Sequence, residues 1–272
     1  MDQKLLYCPE LKPTDEDLKN EFMTDQSIKV ALSLLQKHGY LVLRNAFNPT
    51  EIQSLFLTLN NKEYPHEFAR KKAYLELAGP FNSPSLYVNN WAFPIIGTYL
   101  ATCFILESCF AVASTPMANK NGNRYCTNDL FTATELTEIA NDLPPQAITL
   151  AIPLACSNDP ITPYQCWPGS HIAKQADGPE PGIDEGYDKP ILFAGDCLIL
   201  DDRVLRCETA NPDQKNRWTL HFRYLRPWYR DPIDESTLPI PTISAEEFEK
   251  VPREIRSLID HMRGDNAWRY YT

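Results

Sequence analysis

The first half of the chain carries apolar residues at helical spacing. Apolar positions 28, 31, 32, 34 and 35 predict a helix over 28–37, and Gly39 is expected to end it. The apolar run Tyr40–Leu43 that follows predicts a short strand. Asn48 is expected to cap a second helix, with Glu51 as its reciprocal hydrogen-bond partner three residues further on.

From about residue 108 the pattern changes to short segments rich in β-branched, aromatic and aliphatic residues, separated by turn clusters. The predicted strands are Ser108–Pro116, Gln146–Cys156, Tyr164–His171, Pro190–Asp201, Arg203–Thr209 and Asn216–Arg226. A last helix is expected after the cap Ser244, with four apolar residues on its buried side: Phe248, Ile255, Leu258 and Ile259.

These elements predict one domain over residues 1–272, mainly β with flanking α-helices. Its parts are a helical N-terminal region of about 14–107, a barrel of about 108–226, and a C-terminal helix and tail over 227–272. The pattern favours a β-rich barrel or jelly roll with helices packed outside it.

Composition narrows the class of protein. Hydrophobic residues make up 43% and charged residues 23%, which excludes a disordered chain, a collagen and a coiled-coil rod. A net charge of −10 argues against nucleic-acid and anionic-membrane partners. The apolar stretch 95–114 contains Glu107 and does not suit a membrane span. The N-terminus lacks the apolar run of a signal peptide, and the eight cysteines form no CxxC pair, so a cytoplasmic location is expected.

The order of motifs in the second half points to a known family. The motifs, in chain order, are Tyr125-Cys-Thr-Asn-Asp129, Trp167-Pro-Gly-Ser-His171, Ala194-Gly-Asp-Cys-Leu-Ile-Leu200, Leu205-Arg-Cys-Glu-Thr-Ala-Asn211 and Asn216–Arg226. Together they resemble the phytanoyl-CoA dioxygenase family of Fe(II)/2-oxoglutarate oxygenases, and most of all its fungal branch that acts on meroterpenoids and related metabolites. The resemblance implies a double-stranded β-helix, the cupin-like jelly roll.

The same resemblance implies a metal site that this chain does not complete. The family's His-x-Asp falls on Thr127-Asn-Asp129, so the carboxylate remains and the histidine is a threonine. The distal histidine, five residues before Asn211, is Arg206. Arg217 matches the arginine that binds the 2-oxoglutarate carboxylate in the family. The degenerate triad positions are therefore Thr127, Asp129 and Arg206, and no metal is expected here.

Arginine keeps its proton in proteins, so Arg206 places a permanent cation where a dication would bind. We expect Arg206 to pair with Asp129, with its guanidinium standing in for the metal. Arg217 has two open interpretations: it still binds a carboxylate through two hydrogen bonds, or it only forms a structural ion pair.

The other titratable residues each have a functional and a structural interpretation. Asp129 and Glu208 are candidates for acid and base in metal-free chemistry, or a neutralised structural pair. His221 shares a strand face with Arg217, where it either lines the pocket or packs as a hydrogen-bonded histidine. His171, in the Pro-Gly-Ser-His turn, is expected to be structural.

Three functions remain open at this point. The first is a non-catalytic subunit that pairs with a paralogous, active Fe(II)/2-oxoglutarate oxygenase, stabilises it and helps to shape its site for a small hydrophobic, terpenoid-like substrate. In that case Fe(II) and 2-oxoglutarate belong to the partner, no cofactor is expected in this chain, and a homodimer is the alternative assembly. The second is a metal-independent isomerase or cyclase in which Asp129, Arg206, Glu208 and His221 are candidate catalytic residues. The third is a genuine oxygenase.

Overall fold

The computed structural model describes residues 8–61, 70–101, 103–115, 124–125, 144–154, 160–172, 186–211, 215–229 and 242–263; at 70–72 and 124–125 it describes the backbone alone. The α-helices are α1 (Asp15–Asn20), α2 (Asp25–His38), α3 (Pro49–Asn60), α4 (Pro84–Tyr87), α5 (Phe93–Leu100) and α6 (Ala245–Lys250). Short 3₁₀ segments cover Gly79–Asn82, Arg253–Leu258 and Asp260–Met262. No helix of these described residues is long and apolar enough to cross a membrane.

Side-chain caps decide where the first helices begin. α2 starts three residues earlier than its apolar pattern suggests, because the Thr24 hydroxyl accepts a hydrogen bond from the Ser27 N–H. α3 starts as predicted, with the Asn48 side chain accepting from the Thr50 N–H at 2.9 Å. The expected reciprocal bond from Glu51 is wrong, because its carboxylate accepts instead from the Ser85 hydroxyl at 2.8 Å.

The last helix is shorter than predicted. Ser244 caps it as expected, accepting from the Glu247 N–H at 3.2 Å. α6 then ends at Lys250, because Pro252 disfavours a helical residue before it, and a 3₁₀ segment continues the chain. The predicted apolar side chains still pack against the main core from both segments: Phe248, Ile255, Leu258 and Ile259.

The described part of the chain forms two sheets. The strands are β1 (Glu10–Leu11), β2 (Tyr40–Leu43), β3 (Arg70–Tyr74), β4 (Ile105–Ser114), β5 (Arg124–Tyr125), β6 (Ala147–Leu154), β7 (Tyr164–Cys166), β8 (Cys197–Asp201), β9 (Arg206–Glu208) and β10 (Arg217–Leu225). The large sheet has the order β1-β2-β8-β6-β10-β4-β3, and the small sheet has the order β5-β9-β7. Consecutive strands therefore alternate between the sheets along much of the second half, as in a jelly roll, and the predicted fold class is confirmed.

Three of the predicted strands are shorter than expected because turns interrupt them. One is Arg203–Thr209, which is reduced to β9 because the Val204 N–H folds back onto the Asp201 carbonyl. Pro190–Asp201 contains the turn at Gly195, where the backbone φ is +93° and a Cβ would lie 2.7 Å from the Phe47 carbonyl oxygen. The strand β8 begins only after that turn. Tyr164–His171 is reduced to β7, because the Ser170 N–H folds back onto the Trp167 carbonyl. The strands β1, β3 and β5 have no counterpart in the sequence prediction.

The two faces of the large sheet differ in chemistry. Its outer face is apolar and packs against the helices; on β10 this face carries Trp218, Leu220, Phe222 and Tyr224. Its inner face meets the small sheet around a second apolar cluster that includes Tyr40, Leu198, Leu200, Tyr164 and Cys166. Because both faces are covered, the polar residues of the inner face are enclosed between the sheets.

Candidate functional site in the barrel interior

The last strand supplies a row of polar residues to the barrel interior. Alternation along β10 puts Arg217, Thr219, His221 and Arg223 on the inner face. On β4 the pairing register places Ser114, Val112 and Phe110 beside the first three of them. The sequence interpretation grouped Arg217 and His221 correctly and overlooked Arg223.

The small sheet places Arg206 opposite this row. On β9, Arg206 pairs in register with Tyr125 on one side and Cys166 on the other. Cys166 is fully buried in the inner cluster, so Arg206 and Glu208 share the face that points between the sheets. Thr127 and Asp129 lie outside the described residues, and the predicted pairing of Arg206 with Asp129 stays a prediction.

The guanidinium of Arg206 is largely enclosed, with 12% of its side chain exposed. Its Nη1 donates to the carbonyl oxygens of Asp202 and Val204 at 3.3 and 3.5 Å. Its Nη2 lies 3.8 Å from Asp202 Oδ1, a loose ion pair within the turn between β8 and β9. The guanidinium of Arg206 is thus held inside the protein, and its contacts with the described residues are long.

Asp202, which the sequence interpretation missed, is the centre of a buried charge cluster. Its Oδ2 accepts from Arg223 Nε at 2.6 Å, and its Oδ1 accepts from the Thr149 hydroxyl at 2.6 Å. Arg223 also reaches Glu107 at 3.2 Å. We call Arg206, Asp202, Arg223, Glu107 and Thr149 the charge cluster. It joins both sheets through side chains of β4, β6, β9 and β10.

The charge cluster sets the ionisation of Asp202. Burial alone would raise the pKa of its carboxyl, but the positive charges of Arg223 and Arg206 and the Thr149 hydrogen bond outweigh burial and hold that pKa below its ordinary value. The stability that this carboxylate contributes is therefore complete above its unfolded pKa of about 3.9 and is lost as the pH falls through the lower folded value.

We expect the difference in unfolding free energy between the wild type and Asp202→Asn to be largest at neutral pH and to narrow as the pH falls below about 4. Urea unfolding at several pH values between 7 and 3 measures this difference. The exposed Glu254→Gln serves as a matched carboxylate-to-amide control. A difference that is constant over this range would show that the ionisation of Asp202 is not coupled to folding.

A small cavity lies at the Arg217 end of the barrel. It has a volume of about 20 Å³ and is lined by Val112, Ser114, Ile161, Pro163, Tyr164, Glu208, Thr209, Arg217 and Thr219. An enclosed space of this size holds about one water molecule. The buried side chain of Glu208 shares this lining with Arg217.

His221 and Tyr164 connect the two sheets in the middle of the barrel. The Tyr164 hydroxyl and His221 Nε2 are 2.6 Å apart, and both residues are buried. The His221 ring also stacks on Phe110, with ring centroids 4.7 Å apart and planes inclined by 7°. His221 is thus packed and hydrogen-bonded, as in its structural interpretation, and it also faces the barrel interior.

The Pro-Gly-Ser-His turn holds the barrel to α2. Its Gly169 N–H donates to the His38 carbonyl at 3.0 Å, and the Ser170 hydroxyl accepts from the Leu205 N–H at 2.9 Å. His171 is buried with Nε2 3.1 Å from the Gln36 carbonyl, and burial lowers its pKa. The expected structural role of His171 is confirmed.

Asn211 fixes the turn that leads from β9 into β10. Its buried amide donates to the carbonyls of Ser114 and Lys215 at 2.7 and 2.9 Å. Asn211→Ala leaves both carbonyls without this donor, and we expect the free energy of unfolding to fall by about 1–3 kcal/mol. Chemical denaturation measures the loss, and the exposed Asn60→Ala should change stability by less than about 0.5 kcal/mol.

The described residues do not fit an iron centre. Among the ranges given above, no group of three or more His, Cys, Asp or Glu side chains can hold a metal ion. The guanidinium of Arg206 is a donor without a lone pair to offer, and its charge opposes a dication.

Comparison with known proteins gives the same fold. No family model and no curated protein matches the chain. Among solved structures, HygX from Streptomyces hygroscopicus, with nickel, 2-oxoglutarate and hygromycin B bound, superposes with a TM-score of 0.55 at 13% identity over 81% of this chain and 96% of HygX. SnoN, the non-heme alpha-ketoglutarate-dependent epimerase of nogalamycin biosynthesis, gives 0.54 at 13% identity over 80% and 91%. The chain thus has the jelly-roll fold of 2-oxoglutarate-dependent enzymes.

Proposed function

We propose that this chain is a metal-ligand-deficient relative of the Fe(II)/2-oxoglutarate oxygenases, of the phytanoyl-CoA dioxygenase type, and acts as a non-catalytic subunit. It pairs with an active paralogue, stabilises it and helps to shape a site for a small hydrophobic, terpenoid-like substrate. Iron and 2-oxoglutarate then reside in the partner, and the pair works in the cytoplasm.

The observation that carries this proposal is the guanidinium of Arg206, which is enclosed between the sheets. The sequence resemblance matches this residue to the distal metal ligand of the family. A buried cation there is compatible with the barrel fold and incompatible with the chemistry that the fold supports in oxygenases. Such a chain keeps its surface, and a paralogue of a dimeric enzyme can use the same dimer interface.

Expression of the chain alone and together with a paralogue that has an intact His-x-Asp and distal His tests the pairing. Co-elution in size-exclusion chromatography, and oxygenase turnover only in the mixture, are the expected results. The paralogue with both metal-binding histidines replaced by alanine is the matched control and should still co-elute without turnover. Separate elution with full activity of the paralogue alone would overturn the subunit role.

A second function, a metal-independent isomerase or cyclase, is favoured by one observation. The Tyr164 hydroxyl and His221 Nε2, 2.6 Å apart, form an acid–base pair next to the cavity that contains Glu208 and Arg217. Turnover of a terpenoid substrate by the chain alone, unaffected by chelators and reduced in His221→Gln, would favour this function over the subunit role.

A further inference from the structure

The strongest unexplained feature of the barrel is the bonding of Arg206. A guanidinium has five N–H donors in a planar fork that suits a carboxylate bound through two parallel hydrogen bonds. In the described part of the chain, Arg206 makes contacts of 3.3, 3.5 and 3.8 Å, all at the long limit for such bonds or beyond it. Most of its donor capacity is therefore not used at close range.

The neighbouring carboxylates are engaged elsewhere or do not reach it. Both oxygens of Asp202 already accept short bonds of 2.6 Å, one from Arg223 and one from Thr149. Glu208 lies two residues along the same strand face, lines the cavity with Arg217, and forms no ion pair with Arg206. Arg206 is thus an enclosed cation with unused N–H donors. No carboxylate of the described residues contacts it through both oxygens.

A buried charge in this state favours an anion of matching geometry. The 12% of the Arg206 side chain that remains exposed gives solvent a way to reach it. Arg223, on the far side of Asp202, adds a second positive charge within the same cluster. These features reverse the usual preference of the fold, which binds a cation at this point in oxygenases.

We propose that the barrel binds a small carboxylate on the guanidinium of Arg206. This proposal replaces the pairing of Arg206 with Asp129 that the sequence predicts, because both would use the same N–H donors. The ligand class is a monocarboxylate or the carboxylate end of a larger metabolite, held by two N–H donors of one guanidinium. This site does not depend on the partner role proposed above, because the chain alone forms it.

Binding of ¹³C-labelled acetate to the isolated full-length chain tests the site by NMR line broadening, at constant ionic strength with chloride as the balancing anion. Saturable binding is expected in the wild type. Arg206→Gln should raise the dissociation constant roughly tenfold or more, since a hydrogen-bonded charge is lost. Arg226→Gln, whose Nε donates to the Pro145 carbonyl at 2.7 Å, is the matched control and should bind acetate like the wild type.

Arg217→Gln distinguishes acetate binding at Arg206 from acetate binding at Arg217, the residue that matches the 2-oxoglutarate-binding arginine of the family. Loss of acetate binding in Arg217→Gln with full binding in Arg206→Gln would overturn the proposal, as would non-saturable binding in the wild type. If Arg206→Gln does not fold, Arg206→Lys identifies the Arg206 Nε–H resonance of the wild type by its disappearance. That resonance must shift on addition of acetate, and an unchanged position would also overturn the site. Co-elution with a paralogue is a separate measurement, so the two proposals fail independently.

Discussion

Asp202→Asn is expected to lower the free energy of unfolding by about 3–5 kcal/mol, because it removes the carboxylate that compensates two buried guanidiniums. The substitution keeps the shape of the side chain and its ability to accept from Thr149, so the loss reports the charge. Arg223 retains Glu107 as a partner at 3.2 Å, which limits the loss to this range. Urea denaturation at pH 7, followed by far-UV circular dichroism, measures the effect.

The control for Asp202→Asn is the exposed Glu254→Gln, which should change stability by less than about 0.5 kcal/mol. A second comparison is Asp202→Asn combined with Arg223→Met, which removes one uncompensated cation and should recover part of the loss. A loss below about 1 kcal/mol in the single variant would show that the charge cluster does not hold the two sheets together.

Thr127→His combined with Arg206→His is expected to create iron affinity where the wild type has little. The two substitutions supply the two imidazoles that, beside Asp129, would complete the His-x-Asp and distal His of the resembled family. They also remove the positive charge of Arg206, which opposes binding of a dication. Disturbing even the outer partners of a metal site changes affinity by roughly 10–100-fold, so restoring two direct ligands should gain roughly 100-fold or more. Cobalt(II) absorption and anaerobic Fe(II) titration measure the gain.

Each single substitution, Thr127→His or Arg206→His, should gain much less than the pair, because two ligands do not complete a facial site. Adding Asp129→Ala to the double variant should abolish the gain. A folded double variant with the iron affinity of the wild type would show that Thr127, Asp129 and Arg206 do not converge on one point.

The sequence predicts the barrel well where local rules decide the structure. Tyr40–Leu43 is a strand as expected, and the strong β pattern of 216–226 becomes β10 over Arg217–Leu225. Errors arise where a distant contact overrides the pattern. Gly195 turns the chain because the Phe47 carbonyl lies close to it, and the strand β3 forms by pairing with β4.

The candidate site could be predicted only in part, for a physical reason. Arg206, Glu208, Arg217 and His221 are found from motif spacing, and the structure places all of them on inner faces of the barrel. Asp202 was missed because it lies in a turn, where no alternation indicates a direction. Arg223 carried a usable signal, since it continues the alternation of Arg217, Thr219 and His221 along one strand.

The same limit applies to Tyr164. Its neighbour His221 is 57 residues away in the chain, and the hydrogen bond between them depends on how the two sheets stack. Periodicity indicates which residues face inward but not which inward residues meet across the barrel.

Iron content of the purified chain tests the central claim most directly. The protein is loaded with Fe(II) and 2-oxoglutarate under anaerobic conditions, desalted, and analysed by mass spectrometry for iron per chain, with an intact oxygenase of the same fold treated in parallel. Because the sequence resemblance matches Arg206, a permanent and enclosed cation, to the distal metal ligand, we expect iron far below stoichiometric in this chain and stoichiometric iron in the oxygenase. Stoichiometric iron in the wild-type chain would contradict the account.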